Sequence, residues 1–208
     1  MKTLLKSQKA KLFLCLIALG ILFSLSRGYQ SSASNTEEIV DWDKVRNAFE
    51  AYVKDSSLEN AKAFLCTLPK DKPENEKGDE SKAGYYIYDN YSLWESKVLA
   101  GDRYITEAVF RLVSVADGAF SEAIWEVLST LAQINPRLFL EVLYEYRNAW
   151  YVKHIGYPGI GTKYDVPRGP ISELEMRIKA LESVKDPKYS ELRDECIRLL
   201  RKAIRKSP

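Results

Sequence analysis

The sequence predicts an all-α protein: an antiparallel helical bundle or short stack of helical hairpins, about seven to eight helices, with one long irregular loop at 151–170. Three observations carry that prediction. Apolar residues recur at three- and four-residue spacings through almost every patterned segment. Ser, Asp and Asn stand where helix ends need caps. Glycine and proline concentrate in the stretch YVKHIGYPGIGTKYDVPRGP, which forbids regular structure there.

The chain opens with Lys2, Lys6, Lys9 and Lys11 ahead of an apolar run from Leu12 to Phe23. A cationic head followed by a short greasy core is the signature of an export signal. A membrane span needs roughly 20 apolar residues. Leu12 to Leu25 supplies 14. Residues 1–26 therefore read as a cleaved signal peptide, with an uncleaved signal anchor through residues 12–25 as the alternative. Candidate processing sites are Ser24-Leu25-Ser26 before Arg27 and Ser31-Ser32-Ala33 before Ser34. Cys15 lies inside the apolar run and follows Leu14, which argues against a lipid-modified cysteine. The expected location is periplasmic or secreted.

Residues 27–40 form a flexible lead. Asp41–Lys54 places Trp42, Val45, Phe49 and Val53 on one helical stripe, and Ser56 with Glu59 forms a capping box opening a second helix to Leu68. Segment 41–68 is thus a helical hairpin. PKDKPENEKGDESK, at 69–82, lacks large apolar residues, so 69–83 reads as a charged linker. The main helical region, 84–208, packs with 41–68 as one domain. It starts with Tyr85, Tyr86, Tyr88, Tyr91 and Trp94 in a helix that Gly101 ends, and Asp102 caps the next. Thr106–Ala116 and Ser121–Leu131 match in pattern across the turn Asp117-Gly118, as two amphipathic helices facing one core would. Asn135-Pro136 opens a helix bearing Leu138, Val142 and Tyr146. Ser172 with Glu175 forms a second capping box, and Asp186-Pro187 starts the last helix.

Charge narrows the function. The chain holds 31 Lys plus Arg and 29 Asp plus Glu; without residues 1–26 it keeps 27 bases and the same acids, a net charge of −2. Such a domain has no electrostatic case for nucleic acid. The cationic end of the last helix, Arg198 to Lys206, complements the helix dipole. Loss of the signal leaves Cys66 and Cys196, either as two free thiols or as a bridge worth about 4–5 kcal/mol in the chain-entropy model. Free thiols are the favoured reading, since Cys196 shares an apolar stripe with Leu192, Leu199 and Ala203.

Most chemistries lack their residues. His154 is the single histidine, which excludes multi-histidine metal centres, and no zinc-ligand spacing of cysteines is present. Gly-x-Ser-x-Gly is absent. Gly161-Thr162-Lys163 inverts the Lys-Ser/Thr order that a phosphate-cradling loop requires. No cofactor is expected. The 151–170 loop carries anchoring aromatics and a local excess of positive charge, so Tyr157, Lys163, Tyr164, Arg168 and His154 are the candidate binding residues.

Two resemblances follow from these residues. Ala119 to Leu143 resembles a HEAT-type helical hairpin, from which no function is carried. Glu95-Ser96, within YSLWESKVLAGD, resembles the catalytic Glu-Ser pair of lytic transglycosylases, although that family's Gly-Leu-Met-Gln and Ala-Tyr-Asn segments are missing. That pair implies a glycan-acting enzyme using Glu95 as proton donor. The leading expectation is a nonenzymatic module binding a protein or envelope component. Glycan cleavage and a purely structural envelope role are the alternatives.

Overall fold

The computed structural model describes residues 40–71, 76–77, 80–154, 156–162 and 170–206. The apolar segment at 12–25, the processing sites and the lead up to residue 39 lie outside them. Among the described residues no helix is long and apolar enough to cross a membrane.

Helix α1 (Trp42–Lys54) starts at Asp41, whose carboxylate accepts from the Lys44 amide at 3.3 Å, and it buries Trp42, Val45, Phe49 and Tyr52. Tyr52 completes this face, while Val53 packs only at its edge. Helix α2 (Leu58–Thr67) begins one residue later than the expected capping box. Its cap is Ser57, accepting from the Asn60 amide, because Asn60 is itself held by its side chain to the Asp55 carbonyl at 2.9 Å. Phe49 and Phe64, with ring centroids 4.9 Å apart, join the two helices as the expected hairpin.

The charged segment contributes a two-residue strand. Strand β2 (Glu76–Lys77) pairs in parallel with β1 (Val40–Asp41), Val40 opposite Glu76. The aromatic helix expected to run unbroken to Gly101 is two helices, α3 (Glu80–Asp89) and α4 (Tyr91–Leu99). Asn90 divides them by turning its side-chain amide onto the Tyr86 carbonyl at 2.8 Å, competing with helix continuation. The indole N–H of Trp94 then donates to the Ile87 carbonyl at 3.1 Å and fixes α4 against α3.

Gly101, at φ +87°, closes α4. Asp102 opens α5 (Arg103–Leu112) by accepting from the amides of Tyr104 and Ile105 at 3.0 and 3.1 Å, as a cap should. Helices α6 (Gly118–Ile134) and α7 (Pro136–Tyr146) meet at Asn135, which ends one and accepts from the Leu138 amide to start the other. A short α8 (Trp150–His154) follows, so the 151–170 segment is partly regular. It also holds a hairpin of β3 (Gly156–Tyr157) and β4 (Gly161–Thr162).

Helix α9 (Ile171–Ser183) starts at Pro170 without a side-chain cap. The expected Ser172 box does not form, because Pro170 enters the helix early and leaves Ser172 inside it. Asp186 accepts from the Lys188 amide and opens a 3-10 turn, Pro187–Tyr189, that runs into α10 (Ser190–Lys206). The splitting of the aromatic helix and the short α8 bring the total to ten α-helices among the described residues.

The helices form two rows. Contacts run α1–α3, α4–α6 and α6–α9 in one row and α2–α5, α5–α7 and α7–α10 in the other, cross-linked by the pairs α1–α2, α4–α5, α6–α7 and α9–α10. This is a stack of antiparallel hairpins. Its core is filled by large rings, among them Trp42, Trp94, Phe110 and Phe139. Burying each phenylalanine ring contributes roughly 1.5–3 kcal/mol of gross hydrophobic stabilisation, and each larger indole somewhat more.

Among the described residues two guanidinium groups are buried, Arg177 of α9, which pairs with Glu173, and Arg111. Arg111 of α5 donates to the Leu65 and Leu68 carbonyls at the end of α2, both at 3.1 Å, to the Tyr146 hydroxyl at 2.7 Å and to Glu107 at 3.1 Å. Tyr146 in turn donates to Glu107 at 2.8 Å. Burial favours the neutral form of Arg111, but the hydrogen bonds and charges of Tyr146 and Glu107 outweigh it and raise the pKa. The guanidinium thus ties α2, α5 and α7 together.

Cys66 is an exposed free thiol and Cys196 a buried one. Burial pushes the Cys196 thiol well above its ordinary range, so it stays protonated and packs as an apolar residue beside Leu192, Leu200 and Ala203. Leu200 takes the place expected for Leu199, which packs at the rim.

Candidate functional site

The 156–162 hairpin is anchored from below. Ile160 is fully buried, and the Ser129 hydroxyl on α6 donates to the Gly159 carbonyl at 2.9 Å. Gly159 adopts φ +74°, and a Cβ there would stand 2.6 Å from the Leu128 carbonyl carbon. Only glycine lets the turn approach the α6 backbone so closely. That approach presents Tyr157 beside α10.

Tyr157 lines an open groove of about 930 Å³ with the end of α7, the 3-10 turn and the first turns of α10. Tyr144 lines the same groove, with two cations over its ring. The Arg147 guanidinium lies 3.8 Å from the Tyr144 ring centre and the Lys188 ammonium 5.2 Å from it. Arg147 also donates to the Tyr144 carbonyl. Tyr189, buried beneath, meets Tyr144 edge-on at 5.5 Å, so the ring that the cations clamp cannot easily turn away. These cation–π contacts orient charges at little entropic cost.

Arg198 adds a further guanidinium and is paired through two hydrogen bonds, 2.6 and 2.7 Å, with Glu195. The Arg198 hydrogen bond, helped by its charge, holds the Glu195 carboxyl below its ordinary value against the opposing effect of burial. Glu195 therefore remains ionised near neutrality and is a poor proton donor. Burial raises the Tyr157 phenol, with a smaller push from the neighbouring Cys196 and Glu195. The groove offers two phenols, two guanidinium groups and an ammonium, interleaved with the carboxylates of Glu191, Asp194 and Glu195. Such a set recognises carbonyls, carboxylates and ring faces.

The sequence-derived candidates divide. Tyr157 lies in the groove. His154 is exposed on α8, its ring stacked on Trp150 at 4.9 Å and its Nδ1 donating to the Trp150 carbonyl at 2.8 Å, and it is not part of the groove lining. Lys163, Tyr164 and Arg168 lie outside the described residues. Tyr144, Arg147, Lys188 and Arg198 were missed by sequence reasoning. The signal available was the Tyr144–Arg147 pair, three residues apart and hence neighbours on a helix.

The aromatic helix face also resolves into distinct roles. Trp94 is buried, Tyr88 and Tyr91 are half-buried, and Tyr85 is the exposed ring. Glu95 is half-buried and accepts from the Tyr91 hydroxyl at 2.9 Å. Among the described residues no cluster of three His, Cys, Asp or Glu side chains stands close enough to hold a metal ion. In comparisons with protein-family models, curated proteins and solved structures, no family, protein or structure matches this chain.

Proposed function

We propose that this protein is a nonenzymatic binding module of the cell envelope or extracellular space, which engages a protein partner through the groove between α7, the 156–162 hairpin and α10. The observation that carries the reading is the Tyr144 ring with Arg147 and Lys188 over it, in the groove that Tyr157 also lines. Tyrosine and arginine dominate the energetic centres of protein interfaces because each combines large contact area with directional hydrogen bonds. Here they are already ordered before a partner arrives, which lowers the entropic cost of binding. The export signature at residues 1–26 supports the location.

The test is capture from envelope extract by the full-length chain. The Tyr144→Ala, Arg147→Ala, Tyr157→Ala triple variant should lose a specific partner that the wild type retains, with its circular dichroism unchanged. Equal capture by both proteins would overturn the reading. Glycan cleavage by Glu95 is set aside, because the Glu-Ser pair is all that it rests on. Turnover of purified cell-wall glycan that vanishes in Glu95→Gln would restore it.

A further inference from the structure

The last hairpin carries its charge unevenly. From Cys196 to Lys206, α10 holds five cations and no acid. Arg198, Arg201, Lys202 and Arg205 recur at three- and four-residue spacings, so they share one side of the helix, and all four are exposed, as is Lys206. The opposite side, with Leu192, Cys196, Leu200 and Ala203, is buried. The helix dipole accounts for Arg205 and Lys206, which lie in the last turn. Its effect fades before Arg198, Arg201 and Lys202, which need another reason.

A groove of about 620 Å³ runs between α10 and the end of α9, where Lys185 joins the set, and its lining is charged apart from the buried Ile197. Three arginines are already matched: Arg193 with Asp194 at 2.7 Å, Arg198 with Glu195 at 2.6 Å and Arg201 with Glu182 at 2.8 Å. Lys185 donates to the Glu182 backbone carbonyl at 2.7 Å. Among the described residues Lys185, Lys202, Arg205 and Lys206 have no carboxylate partner. This face therefore carries a positive surplus on a chain whose net charge without residues 1–26 is −2. Two absences narrow what it could meet. The exposed large apolar side chains among the described residues, Leu58, Tyr85, Ile134, Ile171 and Met176, all belong to other segments, so the face has none of the apolar anchors that centre a protein interface. No aromatic residue lies in α10 on which a nucleobase could stack. What remains is positive charge on long side chains, which suits a fluid layer of anionic headgroups that rearrange to meet it.

We propose that the α9–α10 face docks on an anionic phospholipid surface. The lipid phosphates are drawn to Lys185, Lys202, Arg205 and Lys206, while the three matched arginines keep their carboxylates. The attachment is electrostatic, because the apolar stripe of α10 is buried in the core and is not offered to the acyl chains. None of the four cations lines the Tyr144 groove, so lipid and protein partner would be held by separate residues.

The experiment is cosedimentation of the full chain with vesicles of phosphatidylcholine alone and of phosphatidylcholine with phosphatidylglycerol in equal parts. The wild type should bind the mixed vesicles more tightly, and about 1 M salt, which shortens the Debye length to about 3 Å, should remove the difference. A Lys185→Gln, Lys202→Gln, Arg205→Gln, Lys206→Gln variant should bind the mixed vesicles at least tenfold more weakly with unchanged circular dichroism, since each cation near an anionic surface is worth about fivefold. Residues 1–26 are the same in both proteins, so the difference between them belongs to this face. Equal binding of the mixed vesicles by variant and wild type, or no preference of the wild type for the mixed vesicles, would overturn the proposal. Tighter binding of polyglutamate or of a DNA duplex than of the mixed vesicles would overturn it too, in favour of an acidic polypeptide or a nucleic acid.

Discussion

Arg111 shows how a single side chain can be costly and necessary together. Taking a guanidinium out of water costs several kcal/mol, and only a full set of acceptors offsets it. Leu65, Leu68, Tyr146 and Glu107 supply that set. Arg111→Met should therefore destabilise the protein by about 3–5 kcal/mol, chiefly by stranding Glu107 and two helix-end carbonyls. Adding Glu107→Gln should recover part of that loss. Urea midpoints of the two single variants and the double variant check the coupling, and strict additivity would refute it. The sequence held little sign of this network, since Glu107 and Arg111 read equally well as a surface pair one helical turn apart. Burial by α2 and α7, both distant in sequence, turned the pair inward.

Local chemistry was legible where a cap and its helix are neighbours in sequence. Asp102 and Asn135 cap as read, because the side chain and the amides it accepts from are separated by two or three residues. Ser56 and Ser172 failed for equally local reasons: Asn60 is held to Asp55 in one case, and Pro170 starts the helix early in the other. The 156–162 hairpin was not legible. Strands of two residues have no period to detect, and this one exists because its turn rests on α6. Gly159→Ala tests that dependence. The added methyl would collide with the Leu128 backbone at a backbone angle alanine resists, so a loss on the order of 2–3 kcal/mol is expected. A lower urea midpoint with an unchanged slope would agree; a neutral substitution would mean that the turn is not held against α6. Tyr157 was legible as an anchor of this loop, whereas its groove partners come from α7 and α10 and required the packing of the hairpins.

At the scale of the whole molecule, several phenols are enclosed in the stack. Burial, before any neighbouring charge, raises the pKa of Tyr52, Tyr146 and Tyr151 above the ordinary value of 10.0. The folded state thus keeps these protons where the unfolded chain gives them up. Stability should be level up to pH 10 and fall above it, by about 1.4 kcal/mol per pH unit for each tyrosine ionised only on unfolding. Urea titrations from pH 7 to 11 measure this. Tyr52 and Tyr151 have hydroxyls without partners, so a Tyr52→Phe, Tyr151→Phe variant should show a shallower fall at little cost near neutrality. A midpoint independent of pH up to 11 would contradict it. The all-α class followed chiefly from periodicity, because each hairpin buries a stripe that repeats every three or four residues. The number of helices did not, since the break at Asn90 depends on one side chain choosing its own backbone.

Asn135 ends α6 and begins α7 with no linker residue to spare. The corner therefore behaves as a gear tooth rather than a hinge. One extra residue beyond it would turn the α7 face by about 100°, carrying Tyr144 and Arg147 away from the groove and Leu143 toward water. Change of chain length at this position is thus closed to the protein, while longer connections such as 113–117 leave it room to vary.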